Sequence, residues 1–268
     1  MDEAEIKELV RTRYGGIAAG ADSSGCCAPA ASSCCGPATG PADKALRMGY
    51  SEDDLAAVPQ GANLGLGCGN PQAIAALRRG ETVVDLGSGA GFDCFLAARA
   101  VGPEGRVIGV DMTHEMLKKA RENAAGIGAD NVEFRLGELE HLPVADDSAD
   151  VVISNCVINL VSDKAQVLRE AFRVLKPGGR LAVSDIVNTA PLPAALAADP
   201  ALLCGCIAGA APTAQLEAWL AAAGFTAIHI DLEPAGREMI ATWAPGTGIE
   251  DHVAAAAIEA RKPYEKTA

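Results

Sequence analysis

Aromatic and basic residues are scarce in this chain of 268 residues. Phe, Trp and Tyr make up 4% of it, and 22 Lys and Arg stand against 35 Asp and Glu, for a formal net charge of -13. That charge would repel a phosphate backbone, and no basic cluster offsets it locally, so we expect no nucleic-acid partner. Alanine is plentiful instead, which favours close-packed helices over a core of small residues.

Long apolar runs are also missing. No uninterrupted run is long enough to cross a membrane, and the first ten residues are acidic and lack the apolar centre of a signal peptide. We therefore expect a cytoplasmic protein with no membrane partner. Cysteine, in contrast, is abundant at nine residues. In a reducing compartment so many thiols favour soft-ion binding or redox chemistry over structural disulfides.

The sequence divides at about residue 60. Residues 1–60 are predicted to hold an N-terminal helix and then a mobile arm of Gly, Ala, Ser, Pro and paired Cys. Residues 61–268 are predicted to form the main domain. Strand and helix patterns alternate there from residue 81, which predicts an α/β fold with a doubly wound, mostly parallel sheet.

A glycine-rich loop joins the first predicted strand of this domain to its helix. It reads Asp85-Leu-Gly-Ser-Gly-Ala-Gly91, and its glycines allow a tight turn and a close approach to a ligand. Position 92 is Phe, so the loop is not a dinucleotide fingerprint, and it lacks the ending of a P-loop. Asp111 ends the next strand, where it can accept hydrogen bonds from both hydroxyls of a ribose. A nucleoside ligand without a required pyrophosphate fits these features.

With this loop and acid, residues from about 72 to the end resemble the class I S-adenosylmethionine-dependent methyltransferases. The resemblance implies a Rossmann-like fold, and by analogy it makes the alanine-rich tail a last strand rather than a helix. It also implies S-adenosyl-L-methionine as the cofactor. The residues that it assigns to the cofactor are Asp85, Gly87, Gly89, Gly91, Asp111, Met112, Gly137, Glu138, Leu139 and Asn155. The structural alternative is a glycine turn in another α/β fold.

Three cysteines lie where a doubly wound fold places a substrate. Cys156 follows the fourth predicted strand, Cys68 lies in the loop ahead of the first predicted strand and Cys206 follows the fifth strand, so we expect them to converge. A soft, thiophilic centre prefers thiolate ligands. The alternative for each cysteine of the chain is simple packing in the core, and we favour packing for Cys94. Cys204 and Cys206 are two residues apart and would point in different directions on a helix, so at most one of them should join a site. Zinc is a competing ligand, but paired C-x2-C spacing is missing.

The segments NLGLGCGNP, SNCVINL and CIAGA together resemble the bacterial arsenite methyltransferases, nearly from end to end. This resemblance implies that Cys68, Cys156 and Cys206 bind As(III) as a trithiolate, with the segment from about residue 190 contributing to the arsenic site. It also implies that a cysteine of the arm takes part in a thiol-disulfide cycle, and we expect this cysteine to form a transient disulfide with Cys68. The candidates are Cys26, Cys27, Cys34 and Cys35.

The implied reaction is methyl transfer from S-adenosylmethionine to thiolate-bound As(III) by direct attack of the arsenic lone pair, as in arsenic detoxification. Arsenite and methylated trivalent arsenicals would be the substrates. A thiol such as glutathione, or thioredoxin, would be the reductant, and no metal cofactor is implied. Tyr14 is predicted either to belong to a lid over the cofactor or to pack its helix.

Two other functions remain open. One is a methyltransferase of the same fold that acts on a small organic substrate such as a quinone or sterol, with cysteines that only pack. Oxygen and nitrogen methyltransferases commonly need a base, and no His or carboxylate motif is reserved for that task. The other is a metalloid-binding protein with a vestigial donor site.

Overall fold

The computed structural model of the chain describes residues 2–20, 40–233 and 236–264. The predicted arm cysteines Cys26, Cys27, Cys34 and Cys35 lie outside these residues. The helices are α1 (Glu3–Ala18), α2 (Pro41–Arg47), α3 (Glu52–Ala57), α4 (Pro71–Ala75), α5 (Phe92–Val101), α6 (His114–Ile127), α7 (Lys164–Val174), α8 (Ala194–Ala197), α9 (Pro200–Cys204), α10 (Thr213–Ala223) and α11 (Arg237–Ala241), with 3-10 turns at Ile158–Leu160 and Ile249–Asp251. The strands are β1 (Thr82–Leu86), β2 (Arg106–Asp111), β3 (Val132–Leu136), β4 (Ala149–Asn155), β5 (Leu175–Asn188), β6 (Ala211–Pro212), β7 (Thr226–Glu233) and β8 (Val253–Arg261).

The strands form one sheet in the order β3-β2-β1-β4-β5-β8-β7, and the short β6 pairs with β5. Strands β1 to β5 run parallel, whereas β8 is antiparallel to both of its neighbours. The predicted class I methyltransferase fold is therefore confirmed. The predicted last strand is β8, whose alanines lie in the sheet because β5 and β7 pair with it on either side.

Both faces of the sheet are buried, which explains why its central strands read as continuous apolar runs. Val83 and Val84 are adjacent in β1 and point to opposite faces, where each joins a separate apolar cluster. Helices cover both clusters. The order reverses between β1 and β4, so the crevice beyond their carboxyl ends is the expected ligand position. Leu86 and Asn155 end these two strands and begin the loops of the site.

Helix α1 packs against α6 and α9 across this end of the sheet. Its start is fixed by a capping box, in which Asp2 accepts from the backbone N–H of Glu5 and Glu5 accepts from that of Asp2. Among the described residues, no helix is both long and apolar enough to cross a membrane.

Candidate active site

An open cleft lies at the carboxyl ends of β1, β2 and β4. The glycine loop forms its floor, and Lys7, Val10 and Tyr14 of α1 line it from above. Of the predicted cofactor residues, the following line the cleft: Asp85, Gly87, Gly89, Asp111, Met112, Leu139 and Asn155. Gly137 and Glu138 line a shallower neighbouring depression that also contains Met112.

The three glycines of the loop have different surroundings, although all have positive φ angles. A Cβ atom at Gly89 would have only the Met116 sulfur nearby, at 3.9 Å, so this glycine leaves open space. A Cβ atom at Gly87 would collide with the Val157 side chain, and one at Gly91 would lie 2.8 Å from the ring of Phe95. Gly91 therefore permits packing of the loop on the core.

Asp111 supports the loop from the end of β2. One carboxylate oxygen accepts the backbone N–H of Gly89 at 2.9 Å, and the other accepts that of Thr113 at 2.8 Å. Burial raises the pKa of Asp111, and these backbone bonds oppose the rise. Asp111 also lines the cleft, so a ligand there can reach its carboxylate.

Two further carboxyl groups are buried beneath the cleft. Asp85 accepts a hydrogen bond from the thiol of Cys94 at 3.1 Å, and Asp93 accepts one from the hydroxyl of Tyr50 at 2.7 Å. Burial, and then the charge of Asp93, raise the pKa of Asp85 well above its usual range. Cys94 lies in the core, as favoured for it, and it also anchors this acid.

Asn155 connects the donor cleft to the loop that carries Cys68. Its Oδ1 accepts the backbone N–H of Cys68 at 3.0 Å, and its Nδ2 lies 2.9 Å from the carbonyl oxygen of Gly69. The same Nδ2 lies 3.1 Å from both Tyr50 Oη and Asp93 Oδ2. The predicted contact of Asn155 with the cofactor stays a prediction; in the structure its amide holds the loop.

The structure brings Cys68, Cys156 and Cys206 together. The Sγ atoms of Cys68 and Cys156 are bonded as a disulfide, with Cα atoms 5.7 Å apart, and the thiol of Cys206 lies 2.8 Å from the carbonyl oxygen of Cys156. All three are buried, and Cys156 also lines the donor cleft. A disulfide between Cys68 and Cys156 was not among the sequence expectations, which paired Cys68 with a cysteine of the arm.

Asp185 of β5 adds an acid to this cluster. A carboxylate oxygen and the Sγ atoms of Cys68 and Cys156 lie within 4.8 Å of one another. Burial raises the pKa of Asp185 to about 7, against the opposing effects of backbone N–H groups and the Lys164 ammonium. The sequence pattern missed this residue, because an Asp within the strand RLAVSDIV carries no local sign of its partners.

Helix α1 is held at both ends of the cleft. Near one end, Lys7 and Arg11 form ion pairs with Glu138 at 2.7 and 2.9 Å, and Lys7 lowers the pKa of Glu138. At the other end, the hydroxyl of Tyr14 donates to the carbonyl oxygen of Cys204 at 3.0 Å. Tyr14 also lines the cleft, so this helix covers it.

Comparison with known proteins places this site in a family. A family model described as a methyltransferase domain matches residues 77–224. The arsenite methyltransferase of Halobacterium salinarum is 53% identical over 267 aligned positions, and the match covers 98% of this chain and 68% of that protein. The chain belongs to the arsenite methyltransferase family. The predicted family and the predicted enzyme class, a methyltransferase, are thereby confirmed.

Two further arsenite methyltransferase relatives support the assignment. The human arsenite methyltransferase is 43% identical over 137 aligned positions, and the match covers 48% of this chain and 36% of that protein. The crystal structure of an arsenic(III) S-adenosylmethionine methyltransferase from Chlamydomonas reinhardtii superposes with a TM-score of 0.61 at 34% identity. That match covers 84% of this chain and 74% of the algal one.

Proposed function

We propose that this chain transfers methyl groups from S-adenosylmethionine to As(III) held by the thiolates of Cys68, Cys156 and Cys206. The single observation that carries the proposal is the meeting of these three cysteines beside the donor cleft, which Cys156 lines. A soft trivalent centre prefers such sulfur ligands. Arsenite and methylated trivalent arsenicals are the proposed substrates.

The residues of the cleft fit the donor, which supplies a methyl group on a positively charged sulfur. The buried hydroxyl of Ser88 has no hydrogen-bond partner within residues 2–20, 40–233 and 236–264, and a polar group of a ligand would satisfy it. Asp111 would hold the ribose, and Gly89 leaves room above the loop.

The protein's part in the reaction is positioning. Arsenic bound by three thiolates keeps a lone pair, so it can attack the methyl carbon without loss of a proton. The cysteine cluster would hold the arsenic in line with the methyl carbon and the positively charged sulfur of the donor, and α1 would exclude water from the cleft. No side chain is required as a general base.

The thiols also supply electrons in this proposal. Methyl transfer formally oxidises arsenic by two electrons, and two thiols that form a disulfide release two electrons and two protons, which restores As(III). Cys68 and Cys156 form such a pair. Exchange with Cys26, Cys27, Cys34 or Cys35 would pass the disulfide to the arm. Glutathione, another small thiol or thioredoxin would then reduce it in the cytoplasm.

The decisive experiment is turnover with labelled donor and arsenite under reducing conditions. We expect Cys156→Ser and Cys206→Ser each to abolish arsenic methylation while the affinity for S-adenosylmethionine stays nearly unchanged. Cys204→Ser is the matched control from the same segment and should retain turnover. Asp111→Ala should instead weaken donor binding, because it removes an acceptor.

Each alternative function has its own result in this assay. Retained arsenic methylation in both Cys156→Ser and Cys206→Ser would overturn the thiolate site. Transfer to an organic acceptor, with none to arsenite, would assign the chain to the small-molecule methyltransferases. Stoichiometric arsenite binding by the wild type with no turnover would indicate a metalloid-binding protein.

A further inference from the structure

Asn159 lies where the turn of Cys156 meets the turn of Cys206. It belongs to the 3-10 turn that follows Cys156, and its side chain is buried. Its Nδ2 lies 2.8 Å from Asp185 Oδ1, 2.6 Å from the carbonyl oxygen of Ile186 and 3.2 Å from that of Cys206. One amide group therefore links β5 to both cysteine turns.

Asp185 fixes the orientation of that amide. Its Oδ1 accepts the backbone N–H of Ile186 at 2.8 Å in addition to the Asn159 amide, and its Oδ2 accepts the backbone N–H of Ile158 at 3.1 Å. The carboxylate thus holds the turn after Cys156 through two neighbouring residues. Because an Asn amide has two hydrogens and here faces three acceptors, its position depends on this anchor.

Both cysteines need such support, because their backbones are in the left-handed region. The φ angle is 58° at Cys156 and 63° at Cys206, a conformation that non-glycine residues keep only where their surroundings hold it. The two turns are also in close contact. A Cβ atom at Gly209 would collide with the carbonyl oxygen of Asn159, so the Cys206 turn can approach only because position 209 is glycine.

We propose that Asn159, oriented by Asp185, is a positioning residue that sets the spacing of the Cys156 and Cys206 thiols. The inference rests on the proposed function, since it assumes that these two thiols share one arsenic atom. Asn159 itself does not touch the arsenic. Its loss should weaken arsenite binding and leave the donor site unaffected, because Asn159 does not line the cleft.

The test measures binding of inorganic arsenite by equilibrium dialysis with reduced, full-length protein. Cys26, Cys27, Cys34 and Cys35 are replaced by Ser in every sample, so that they do not bind arsenite. For Asn159→Ala we expect the arsenite Kd to rise about tenfold, the scale of one buried hydrogen bond, with the donor Kd within about twofold of its starting value. Asn131→Ala is the matched control, because Asn131 donates to the carbonyl oxygens of Ala98 and Gly102 and not to the turn of Cys156 or Cys206.

A folded Asn159→Ala protein with an arsenite Kd within about twofold of the parent would overturn the inference. If that variant does not fold, Asn159→Ser replaces it; its hydroxyl can donate one hydrogen bond, so an intermediate Kd is expected and an unchanged Kd contradicts the inference. Cys206→Ser in the same assay separates the two proposals. Unchanged arsenite binding by Cys206→Ser would reject the thiolate site itself, whereas loss there with none in the Asn159 variants would reject only the positioning role.

Discussion

The backbone N–H of Cys68 donates to Oδ1 of Asn155 at 3.0 Å, a bond between residues 87 positions apart. Asn155 also donates to Asp93, which lies in the first turn of α5, directly after the glycine loop. A single amide therefore couples a proposed arsenic ligand to the proposed donor site. Methyl transfer needs both partners in line, so this coupling has a direct consequence for the rate.

Asn155→Ala should lower both stability and turnover. The change leaves the Cys68 N–H without its partner and removes one of the hydrogen bonds to the buried Asp93 carboxyl, which costs about 1–3 kcal/mol in the free energy of unfolding. We expect kcat/KM for arsenite to fall at least about tenfold as the Cys68 loop loses its anchor. Urea unfolding and initial rates measure the two effects. A variant with parental rates would show that Cys68 is positioned by other contacts.

Gly67→Ala also tests the position of the Asn155 side-chain amide. A Cβ atom at position 67 would lie 2.7 Å from Asn155 Nδ2, which is too close, so the amide must shift away from Cys68. We expect this variant to resemble Asn155→Ala in turnover. Gly126→Ala is the control, because nothing lies within 4 Å of a Cβ atom there and alanine favours the helix. Equal turnover for Gly67→Ala and Gly126→Ala would contradict the prediction.

Much of the fold follows from local patterns, and the meeting of the cysteines follows from the fold. Cys156 comes directly after β4, and parallel strands end at one edge of a sheet, so the sequence alone predicts that Cys156 faces a ligand there. Asp185 and Tyr50 carry no such signal. Their partners, Asn159 and Asp93, are distant along the chain, and only packing brings them together. The strand β8 likewise required analogy, since its alanines favour helix.

Glu138→Gln should loosen helix α1 from the cleft. Glu138 is the shared partner of Lys7 and Arg11, and its side chain is 36% exposed, so the pairs contribute only about 0–1 kcal/mol. We expect faster amide hydrogen exchange across residues 3–18 in the variant. High salt should raise the exchange rate of the parent protein toward that of the variant, because salt screens the ion pairs. Glu122→Gln, which removes the exposed pair with Lys118, should leave that exchange unchanged. Equal exchange in both variants would mean that the ion pairs with Glu138 do not hold α1.

Arsenite binding should require reduction of the Cys68–Cys156 disulfide. In that bond neither sulfur is a thiolate, so the oxidised protein cannot offer three sulfur ligands. Digestion without reductant should release a linked peptide pair that contains Cys68 and Cys156, and this pair should disappear in Cys68→Ser. Arsenite bound per chain should rise when reductant is added. A linked pair that joins Cys68 only to a cysteine of the arm would contradict the pairing seen here.

The buried carboxyl of Asp185 should make stability depend on pH. Burial raises its pKa to about 7 in the folded protein, above its ordinary value of 3.8, so the folded chain holds a proton there that the unfolded chain has released. The resulting stabilisation is fully present below about pH 4 and is lost as the pH rises to about 7. Its size is roughly 1.4 kcal/mol for each unit of difference between the folded and unfolded pKa values.

Asp185→Asn removes this titration. The substitution also lowers stability at every pH, because it replaces a carboxylate oxygen with an amide NH₂ group that meets the backbone N–H of Ile158. The free energy of unfolding of the parent should therefore fall relative to that of the variant between about pH 4 and 7. Urea unfolding of both proteins at several pH values, without arsenite or donor, measures the difference. The other buried acids are present in both proteins, so their titration largely cancels. A parallel pH dependence in the two proteins would show that Asp185 is already ionised near pH 4 in the folded chain.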